Sequence, residues 1–442
     1  MTSITRRSAL GAAIAIPAAA ALTRAAFAAP AEIELFFPVP VQGMLANKMK
    51  ELIDRFNGQQ QAVQVTAVYT GSYDDTNLKT RAAIKAGKPP GAVIMSANFV
   101  REYVINGEVD PFDPYFEKGG TTASAYFDGS FWSALKPNAV IGGKIFGIPF
   151  QNSTPLLYYN TDAFKDAGLD PDRPPTDWAE WVAAAKKLAK PGGERWGLMF
   201  PATYDYCGWL TSALVMQNGG QYYNHDYGGE VFYEAPSTLG ALALLDKMVN
   251  QDKTVPPGVS DANACTSAFF AGRTAMMMLS TGSLSFIRDN MKLPYKVAFL
   301  PKSVRHAAPI GGASLILPKG NTPERQEAAW TLISWLISPE IAGEWSRFTG
   351  YFAPRKAAYD LPEMKSYLAE HADAKVALDQ LQYAVPWFDT FSTVAVRKAM
   401  EDQVQAILSA KTSPGEAVKA AQKSADALLR PYVEQTALKS LG

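Results

Sequence analysis

The sequence contains few of the side chains on which metal and redox chemistry depend. Its 442 residues include only two cysteines, Cys207 and Cys265, and three histidines, and these lie far apart along the chain. Metal sites in proteins need such residues a few positions apart. The composition therefore predicts no metal site and no cofactor. Whether the two cysteines form a disulfide or remain buried free thiols stays open at this level.

An excess of charge of either sign is also missing. Lys and Arg together number 42, and so do Asp and Glu. Because proteins that bind nucleic acid usually present a basic face, this balance argues against a nucleic-acid partner. Hydrophobic residues make up 48% of the chain and charged residues 19%, which is typical of a globular protein. The length suits one large or two medium-sized folded units.

Long apolar runs are confined to the N-terminus. Residues 1–28 are predicted to be a signal peptide, because Arg6 and Arg7 precede an apolar Ala/Ile run and the triplet at 26–28 resembles a cleavage site. Paired arginines indicate the twin-arginine export route and therefore a periplasmic location. The run contains Pro17 and is too short to span a bilayer, but an N-terminal membrane anchor is the alternative interpretation.

The pattern along the chain predicts an α/β fold. Short strand patterns at 33–37, 63–69 and 92–95 alternate with apolar residues at helical spacing, which indicates βαβ units and a mainly parallel sheet. Ligands bind at the carboxyl ends of such strands, where the loops near Tyr73 and Ala97 should lie. Four further helices are predicted, at 176–188, 237–249, 323–337 and 394–408. The sequence has no repeats and no obvious linker, so two lobes would have to exchange strands through a hinge crossed more than once.

Several segments resemble one family, the periplasmic solute-binding proteins of ABC importers. They are PFQNSTPLLYYN at 149–160, the segment at 164–170 and FFAGRTAMMM at 269–278. Within that family the chain is most similar to the members that bind glycerol-3-phosphate. This second similarity rests on the segments STGSL at 280–284, IGGASL at 310–315, TGY at 349–351 and VR at 396–397.

The resemblance implies two α/β lobes that close on a ligand in the cleft between them. The N-terminal lobe would comprise 29–147 plus 309–352, and the C-terminal lobe 148–308 plus 353–442. The protein would be a monomer, not an enzyme. It would deliver its ligand to the permease and ATPase subunits of an importer in the inner membrane. The implied ligand is a small phosphate ester, either glycerol-3-phosphate or a glycerophosphodiester such as glycerophosphocholine.

The resemblance also implies a set of ligand-binding residues. The phosphate group would be held by Ser153, Ser280, Gly311, Tyr351 and Arg397, and Tyr73 would lie on the glycerol side. The residue chemistry agrees with these roles. The segment from Ser280 to Ser283 can begin a helix whose free N–H groups face an anion, and an arginine offers paired donors to phosphate oxygens. The pair Gly311-Gly312 lets the backbone approach a ligand closely.

Each of these residues also has an ordinary structural interpretation. Ser280 can be a helix cap only, and the hydroxyl of Ser153 can belong to a turn. Gly311 can form a turn, and Tyr351 can be a core residue. Arg397 stands four residues before a glutamate on a predicted helix, so a surface ion pair competes with ligand binding.

The chain departs from the family pattern at one end of the site. A glutamate that grips the ligand's hydroxyl groups in the family aligns with Ala97, which leaves Asn98 as the nearest substitute. The family's tryptophan pair aligns with Tyr206 and Trp209. These two rings can flank a quaternary ammonium group with Asp205 as its counter-charge, or they can pack as hydrophobic residues.

Two other classes of function compete with this interpretation. An oligosaccharide-binding protein of an ABC importer would also use aromatic residues, and the chain has 9 Trp and 19 Tyr. An exported hydrolase is the second alternative, but the G-x-S-x-G spacing of many esterases does not occur.

Overall fold

The computed structural model describes residues 29–38, 43–204 and 206–436. The predicted signal peptide at 1–28 lies outside the described residues. The strands are β1 Ala31–Pro38, β2 Val63–Gly71, β3 Ala92–Ser96, β4 Val109–Asp110, β5 Val140–Ile141, β6 Lys144–Ile145, β7 Ile148–Ser153, β8 Pro155–Asn160, β9 Trp196–Met199, β10 Thr274–Ser280, β11 Tyr295–Ala298, β12 Ala308–Pro309, β13 Gly311–Pro318 and β14 Ala384–Val385.

Helices cover the two main sheets and fill the second half of the chain. They are α1 Met44–Gln59, α2 Tyr73–Lys85, α3 Val100–Ile105, α4 Asp113–Lys118, α5 Ala123–Ser130, α6 Thr161–Asp166, α7 Trp178–Leu188, α8 Tyr206–Gln217, α9 Pro236–Asp246, α10 Ala262–Phe270, α11 Leu284–Asn290, α12 Pro323–Leu336, α13 Pro339–Thr349, α14 Pro362–Glu370, α15 Ala372–Gln380, α16 Thr393–Leu408 and α17 Pro414–Thr436.

The first sheet has the order β2-β1-β3-β13-β4, and β7 pairs antiparallel with the first part of β13, from Gly311 to Leu315. β1 is parallel to both β2 and β3, as the alternating pattern predicts. β13 enters from much later in the chain and runs antiparallel to β3. Leu35, Ile94 and Leu315 are fully buried at the centre of this sheet's core. We call this sheet and the helices that pack on it the first lobe.

The second sheet has the order β11-β8-β10-β9 and is mixed. β10 runs parallel to β9 but antiparallel to β8, which also pairs antiparallel with β11. Its core includes the buried side chains of Leu157, Met276 and Met278 and extends beneath α8, α9, α16 and α17. We call this unit the second lobe. The predicted parallel sheet thus describes the first strands of the first lobe and not the second sheet.

The chain passes between the lobes at more than one place. β7 belongs to the first sheet and β8 to the second, so one passage falls at Thr154. A small parallel pairing of β12 with β14 lies next to the start of β13. The proposed boundary after 147 precedes β7, whereas the change of sheet follows it. The exact lobe boundaries remain a prediction.

The four predicted helices are present, and their N-terminal caps explain where two of them begin. α7 is capped by Asp177, whose carboxylate accepts a hydrogen bond from the Glu180 backbone N–H at 2.8 Å. α12 is capped by Thr322, with Pro323 at its first turn. The long α17 was not among the predicted helices. It buries small alanine side chains against the second lobe and packs along α16.

Two further observations bear on the composition argument. Cys207 and Cys265 are both free and buried, so they form no disulfide. Burial raises the pKa of the Cys207 thiol well above its usual value and that of Cys265 to about 12, so both thiols are protonated at neutral pH. None of the described helices combines the length and the apolar character needed to cross a membrane.

Candidate functional site

A cavity of about 40 Å³ lies where residues from both lobes meet. Its lining combines hydroxyl groups, glycine backbone and aromatic rings. The lining residues are Tyr73, Ser96, Ser153, Tyr206, Trp209, Ser280, Gly311, Gly312, Tyr351 and Trp387. This set brings together eight of the residues named from the sequence, that is, all except Ser96 and Trp387. Ser96 and Trp387 were not named as site residues.

The strand directions explain the contribution of the first lobe. β3 ends at Ser96 and β7 ends at Ser153, while the antiparallel β13 begins at Gly311. Gly311 lies directly opposite Ser153, and Ala313 lies opposite Ser96. The carboxyl ends of β3 and β7 and the start of β13 therefore share one edge, which is where open α/β sheets bind ligands.

Tyr73 reaches this edge from the first turn of α2. Ser72 caps the helix, and its hydroxyl oxygen accepts a hydrogen bond from the Asp75 backbone N–H at 3.1 Å. The Asp75 carboxylate in turn accepts from the Ser72 backbone N–H at 3.0 Å. Gln151 Nε2 donates to Tyr73 Oη at 3.1 Å. The ring is therefore positioned both by a capped helix and by a neighbouring strand.

Two adjacent glycines allow close packing at the cavity. Gly312 has φ +88°, and a Cβ there would lie 1.9 Å from the Gln151 carbonyl oxygen. A Cβ on Gly311 would lie 2.9 Å from the Trp209 indole. A larger residue at Gly312 would displace the Gln151 backbone, and a larger residue at Gly311 would displace the Trp209 ring. The close approach observed here is to Gln151 and Trp209, and the predicted close approach to a ligand stays a prediction.

Ser280 ends β10 in the second lobe and caps a short 3₁₀ turn, Thr281–Ser283. Its Oγ accepts a hydrogen bond from the Gly282 N–H at 3.0 Å, and the Thr281 N–H donates to the Thr154 carbonyl at 2.9 Å. The prediction of free N–H groups facing an anion is therefore wrong for these two groups. The Ser280 hydroxyl still lines the cavity and retains its own hydrogen as a donor.

Tyr351 follows α13 and is both a buried residue and part of the cavity wall. Its ring lies against Gly282, where an added Cβ would come within 2.7 Å of the ring. The Tyr351 backbone N–H donates to Thr349 Oγ1 at 3.0 Å, and Ser346 Oγ donates to the Tyr351 carbonyl at 2.7 Å. These contacts hold the ring at one position between the lobes.

Three aromatic residues form the remaining wall. The rings of Tyr206 and Trp209 on α8 meet edge to face, with centroids 6.2 Å apart. Trp209 Nε1 donates to the Pro309 carbonyl at 3.0 Å. The backbone of Trp387 is bound on both sides by Asn138, whose Nδ2 donates to the carbonyl at 2.9 Å and whose Oδ1 accepts from the N–H at 3.2 Å. Trp387 carried no sequence signal because its segment has no periodic pattern.

Arg397 is not among the described residues that line the cavity, although its side chain is only 1% exposed. Its Nη2 lies 3.0 and 3.2 Å from the carboxylate oxygens of Asp74, and its Nε lies 3.3 Å from Glu401 Oε2. Glu401 also accepts a hydrogen bond from the Gly208 N–H at 2.9 Å. The ion pair with Glu401 therefore exists, but it is buried and not at the surface.

The three weaker candidates lie elsewhere or cannot be placed. Asn98 is buried, and its Oδ1 accepts a hydrogen bond from Ser96 Oγ at 2.6 Å. Ser283 is buried in the turn after Ser280. Neither is among the described cavity-lining residues. Asp205 lies outside the described residues, so its role as a counter-charge stays a prediction.

The chemistry of the lining suits binding. None of its described residues carries a formal charge, and the groups present donate and accept hydrogen bonds or stack on rings. Within the described part of the chain, no group of three or more His, Cys, Asp or Glu residues is arranged to hold a metal ion. Two lobes with a hydroxyl-rich, aromatic cavity between them define a protein that encloses a small solute.

Residues 51–374 match the family described as bacterial extracellular solute-binding protein, and the chain belongs to that family. It is a substrate-binding component of an ABC importer, takes a small molecule, and is not an enzyme. The expected two-lobed fold is confirmed.

The chain is also similar to relatives of known description. The sn-glycerol-3-phosphate-binding periplasmic protein UgpB of Yersinia pestis (strain Antiqua) is 29% identical over 422 residues, which cover 91% of this chain and 94% of the relative. The protein of the same name from Pectobacterium atrosepticum is 28% identical over 427 residues, which cover 92% and 94%.

Solved structures show the same fold. UgpB from Mycobacterium tuberculosis, in complex with glycerophosphocholine, has a TM-score of 0.79 at 25% identity and covers 92% of this chain and 100% of its own. A solute-binding protein from Thermotoga lettingae bound to tagatose has a TM-score of 0.77 at 21% identity and covers 90% and 100%. The fold is thus shared by proteins whose ligands differ.

Proposed function

We propose that this chain captures a small phosphate ester, glycerol-3-phosphate or a glycerophosphodiester such as glycerophosphocholine. The observation that carries the proposal is the convergence of Ser153, Ser280, Gly311 and Tyr351 on one cavity, from four separate segments and from both lobes. These are four of the five residues that the resemblance assigns to the phosphate, and the fifth, Arg397, is not among the described lining residues. The relatives named for glycerol-3-phosphate match over nine-tenths of this chain, which supports the same ligand class.

The lining of the cavity favours a small polar ligand. Its hydroxyl groups can donate and accept hydrogen bonds, and its glycine backbone and aromatic rings can approach a ligand closely. Hydrogen bonds to a charged phosphate contribute roughly 1.5–3 kcal/mol each. Three or four of them support micromolar binding, about −8 kcal/mol, after ordering costs are subtracted.

A sugar is the second candidate ligand, and one observation favours it. Tyr206, Trp209 and Trp387 all line the cavity, and aromatic rings provide apolar surface on which a sugar can stack. Solved relatives of the same fold include a complex with tagatose. A quaternary ammonium group of a phosphodiester would use the same rings, so the aromatic wall alone does not choose between the two ligands.

The proposal also covers export of the protein, enclosure of the ligand and its delivery to the importer. The chain would be exported through the twin-arginine signal at 1–28 and act as a monomer in the periplasm. Lobe closure would enclose the ligand, and the closed form would deliver it to the permease and ATPase subunits. The two lobes would move relative to each other about the places where the chain passes between them. The N-terminal lobe would comprise 29–147 plus 309–352, and the C-terminal lobe 148–308 plus 353–442.

Thermal unfolding against a ligand panel tests the ligand class. The chain from Ala29 onward would be heated with glycerol-3-phosphate, glycerophosphocholine, free phosphate, maltose or trehalose. A ligand at about 100 times its dissociation constant adds about 2.7 kcal/mol, and the melting temperature rises accordingly. We expect a rise with the phosphate esters. A rise with the sugars alone would overturn the proposal.

A matched pair of serine variants locates the site. Ser153→Ala should weaken phosphate-ester binding about tenfold, since one charge-assisted hydrogen bond is worth about 1.4 kcal/mol or more. Ser124→Ala removes the same hydroxyl from an exposed position on α5 and should leave binding unchanged. Isothermal calorimetry on both variants measures the difference. Equal affinities for the two variants would remove Ser153 from the site.

A further inference from the structure

The ion pair between Arg397 and Asp74 joins the two lobes. Asp74 is in the first turn of α2, which packs on β1, β2 and β3 of the first sheet. Arg397 is in the first turns of α16, which packs on α8, α9 and α17 in the second lobe. Asp74 follows Tyr73, a lining residue of the cavity. The guanidinium of Arg397 lies 5.9 Å from the ring centroid of Trp387, another lining residue, so the pair lies next to the cavity wall.

The two carboxylates at this guanidinium differ in their freedom to move. Glu401 is fully buried, one helical turn after Arg397, and is also bound by the Gly208 N–H. A Cβ on Gly208 would lie 2.9 Å from both Arg397 Cγ and Glu401 Oε1, so the second lobe packs tightly around this pair. The Asp74 side chain is 33% exposed and comes from the opposite lobe. Of these two carboxylates, Asp74 is therefore the one that a ligand can displace from the guanidinium.

Asp74 occupies Nη2 of Arg397, a donor for which a ligand anion bound by this arginine would compete. Both of its carboxylate oxygens lie within 3.2 Å of Nη2, and Glu401 Oε2 lies 3.3 Å from Nε on the same side of the guanidinium. An anion that reaches Nη2 must displace Asp74 or share the guanidinium with it. In both cases it lies within a few ångströms of a like charge, in a place where burial weakens screening.

We propose that Asp74 is a specificity-determining residue that selects against doubly charged phosphate groups. The inference rests on the proposed function. A phosphate monoester has a second pKa near 6 and is doubly charged at pH 8, whereas a phosphodiester carries one negative charge. Repulsion from Asp74 scales with the ligand's charge, so it penalises the monoester more. Asp74 thus favours a phosphodiester over glycerol-3-phosphate itself.

The experiment is calorimetry at pH 8 on the wild type and on Asp74→Asn, with glycerol-3-phosphate and glycerophosphocholine as the two probes. The substitution keeps the shape of the side chain and removes its charge. We expect affinity for glycerol-3-phosphate to rise about tenfold and affinity for glycerophosphocholine to rise less than threefold. Asp402→Asn makes the same charge change at an exposed position on α16 and should alter neither affinity.

The outcomes separate this inference from the proposed function. If the wild type binds at least one ester, and Asp74→Asn changes both affinities equally, lowers both or changes neither, the selective role of Asp74 is overturned while the function stands. A uniform loss of affinity would indicate instead that the ion pair holds the lobes together. If neither ester binds to the wild type or to the variant, both the function and the inference are overturned.

Discussion

Among the described residues, two arginines pair with a carboxylate of the opposite lobe, and the two sites differ in which groups are desolvated. In the first, Arg397 is 1% exposed and faces Asp74 and Glu401. In the second, Asp389 is 1% exposed and faces the partly exposed Arg101 on α3, with 3.2 Å between Oδ1 and Nε. Asn138 Nδ2 also donates to Asp389 Oδ2 at 3.1 Å. The first site buries the cation together with one of its carboxylates, Glu401, whereas in the second only the anion is fully buried.

The difference shows that contact with an arginine does not by itself keep an acid ionised. Burial raises the pKa of Asp389 to about 7, although Arg101 and Asn138 both act to lower it. At Arg397 the guanidinium keeps its charge at any ordinary pH, so this buried cation always needs an anionic partner. The first pair therefore bears on ligand charge, and the second on the dependence of stability on pH.

The largest effect is expected at the first pair. Arg397→Ala removes the cation and leaves Glu401 buried without it, which costs about 3–5 kcal/mol of stability. Denaturant unfolding measures this loss. The double variant Arg397→Ala/Glu401→Gln should recover part of it, because no buried charge remains. A double variant no more stable than the single one would show that packing, not charge, dominates. Because of this loss, Arg397→Lys is the better variant for testing ligand binding.

The second pair should give the protein a measurable pH dependence. The native pKa of Asp389, about 7, is above its unfolded value of 3.8, so the folded protein holds this proton more tightly. The resulting stabilisation is complete below about pH 4 and is lost as pH rises through 7, with a total change of at most about 4 kcal/mol. Asp389→Asn should flatten this decline in denaturant unfolding between pH 4 and 8.

Comparison of wild type with variant isolates Asp389 from its titrating neighbours. His225 packs edge to face against Tyr223, and burial lowers the pKa of His225, so His225 changes stability in the opposite direction over pH 5–7. Both proteins contain His225, and its effect cancels in the difference between their curves. Parallel curves for wild type and Asp389→Asn would contradict the raised pKa.

The smallest effect is expected at an exposed pair on the same helix as Arg397. Lys398 and Asp402 are 2.6 Å apart, and both side chains are 45% exposed. Asp402→Asn should change the free energy of unfolding by less than about 1 kcal/mol, because solvent screens exposed ion pairs. The ratio between the changes in unfolding free energy caused by Asp402→Asn and by Arg397→Ala measures how much burial strengthens an ion pair on α16. If the two substitutions changed the free energy of unfolding by similar amounts, burial would not explain the stability contributed by Arg397.

Local features were predictable because short-range chemistry determines them. The strands at 33–37, 63–69 and 92–95 and the caps Asp177 and Thr322 follow from residue patterns within a few positions. The cavity-lining residues from Tyr73 to Tyr351 were identified through family motifs, each of which is a short contiguous segment. The mixed pairing of the second sheet had no such signal, because β8, β10 and β11 come together from distant parts of the chain.

The sequence by itself determined the α/β class, the resemblance to solute-binding proteins and most of the residues that line the cavity. Only the tertiary structure decided which carboxylate faces Arg397. Glu401 is four positions away and could be foreseen, but Asp74 is 323 positions away, on a helix of the opposite lobe. The burial that raises the pKa of Asp389 was decided in the same way. Desolvation and charge proximity depend on distances in space, which residue order does not specify.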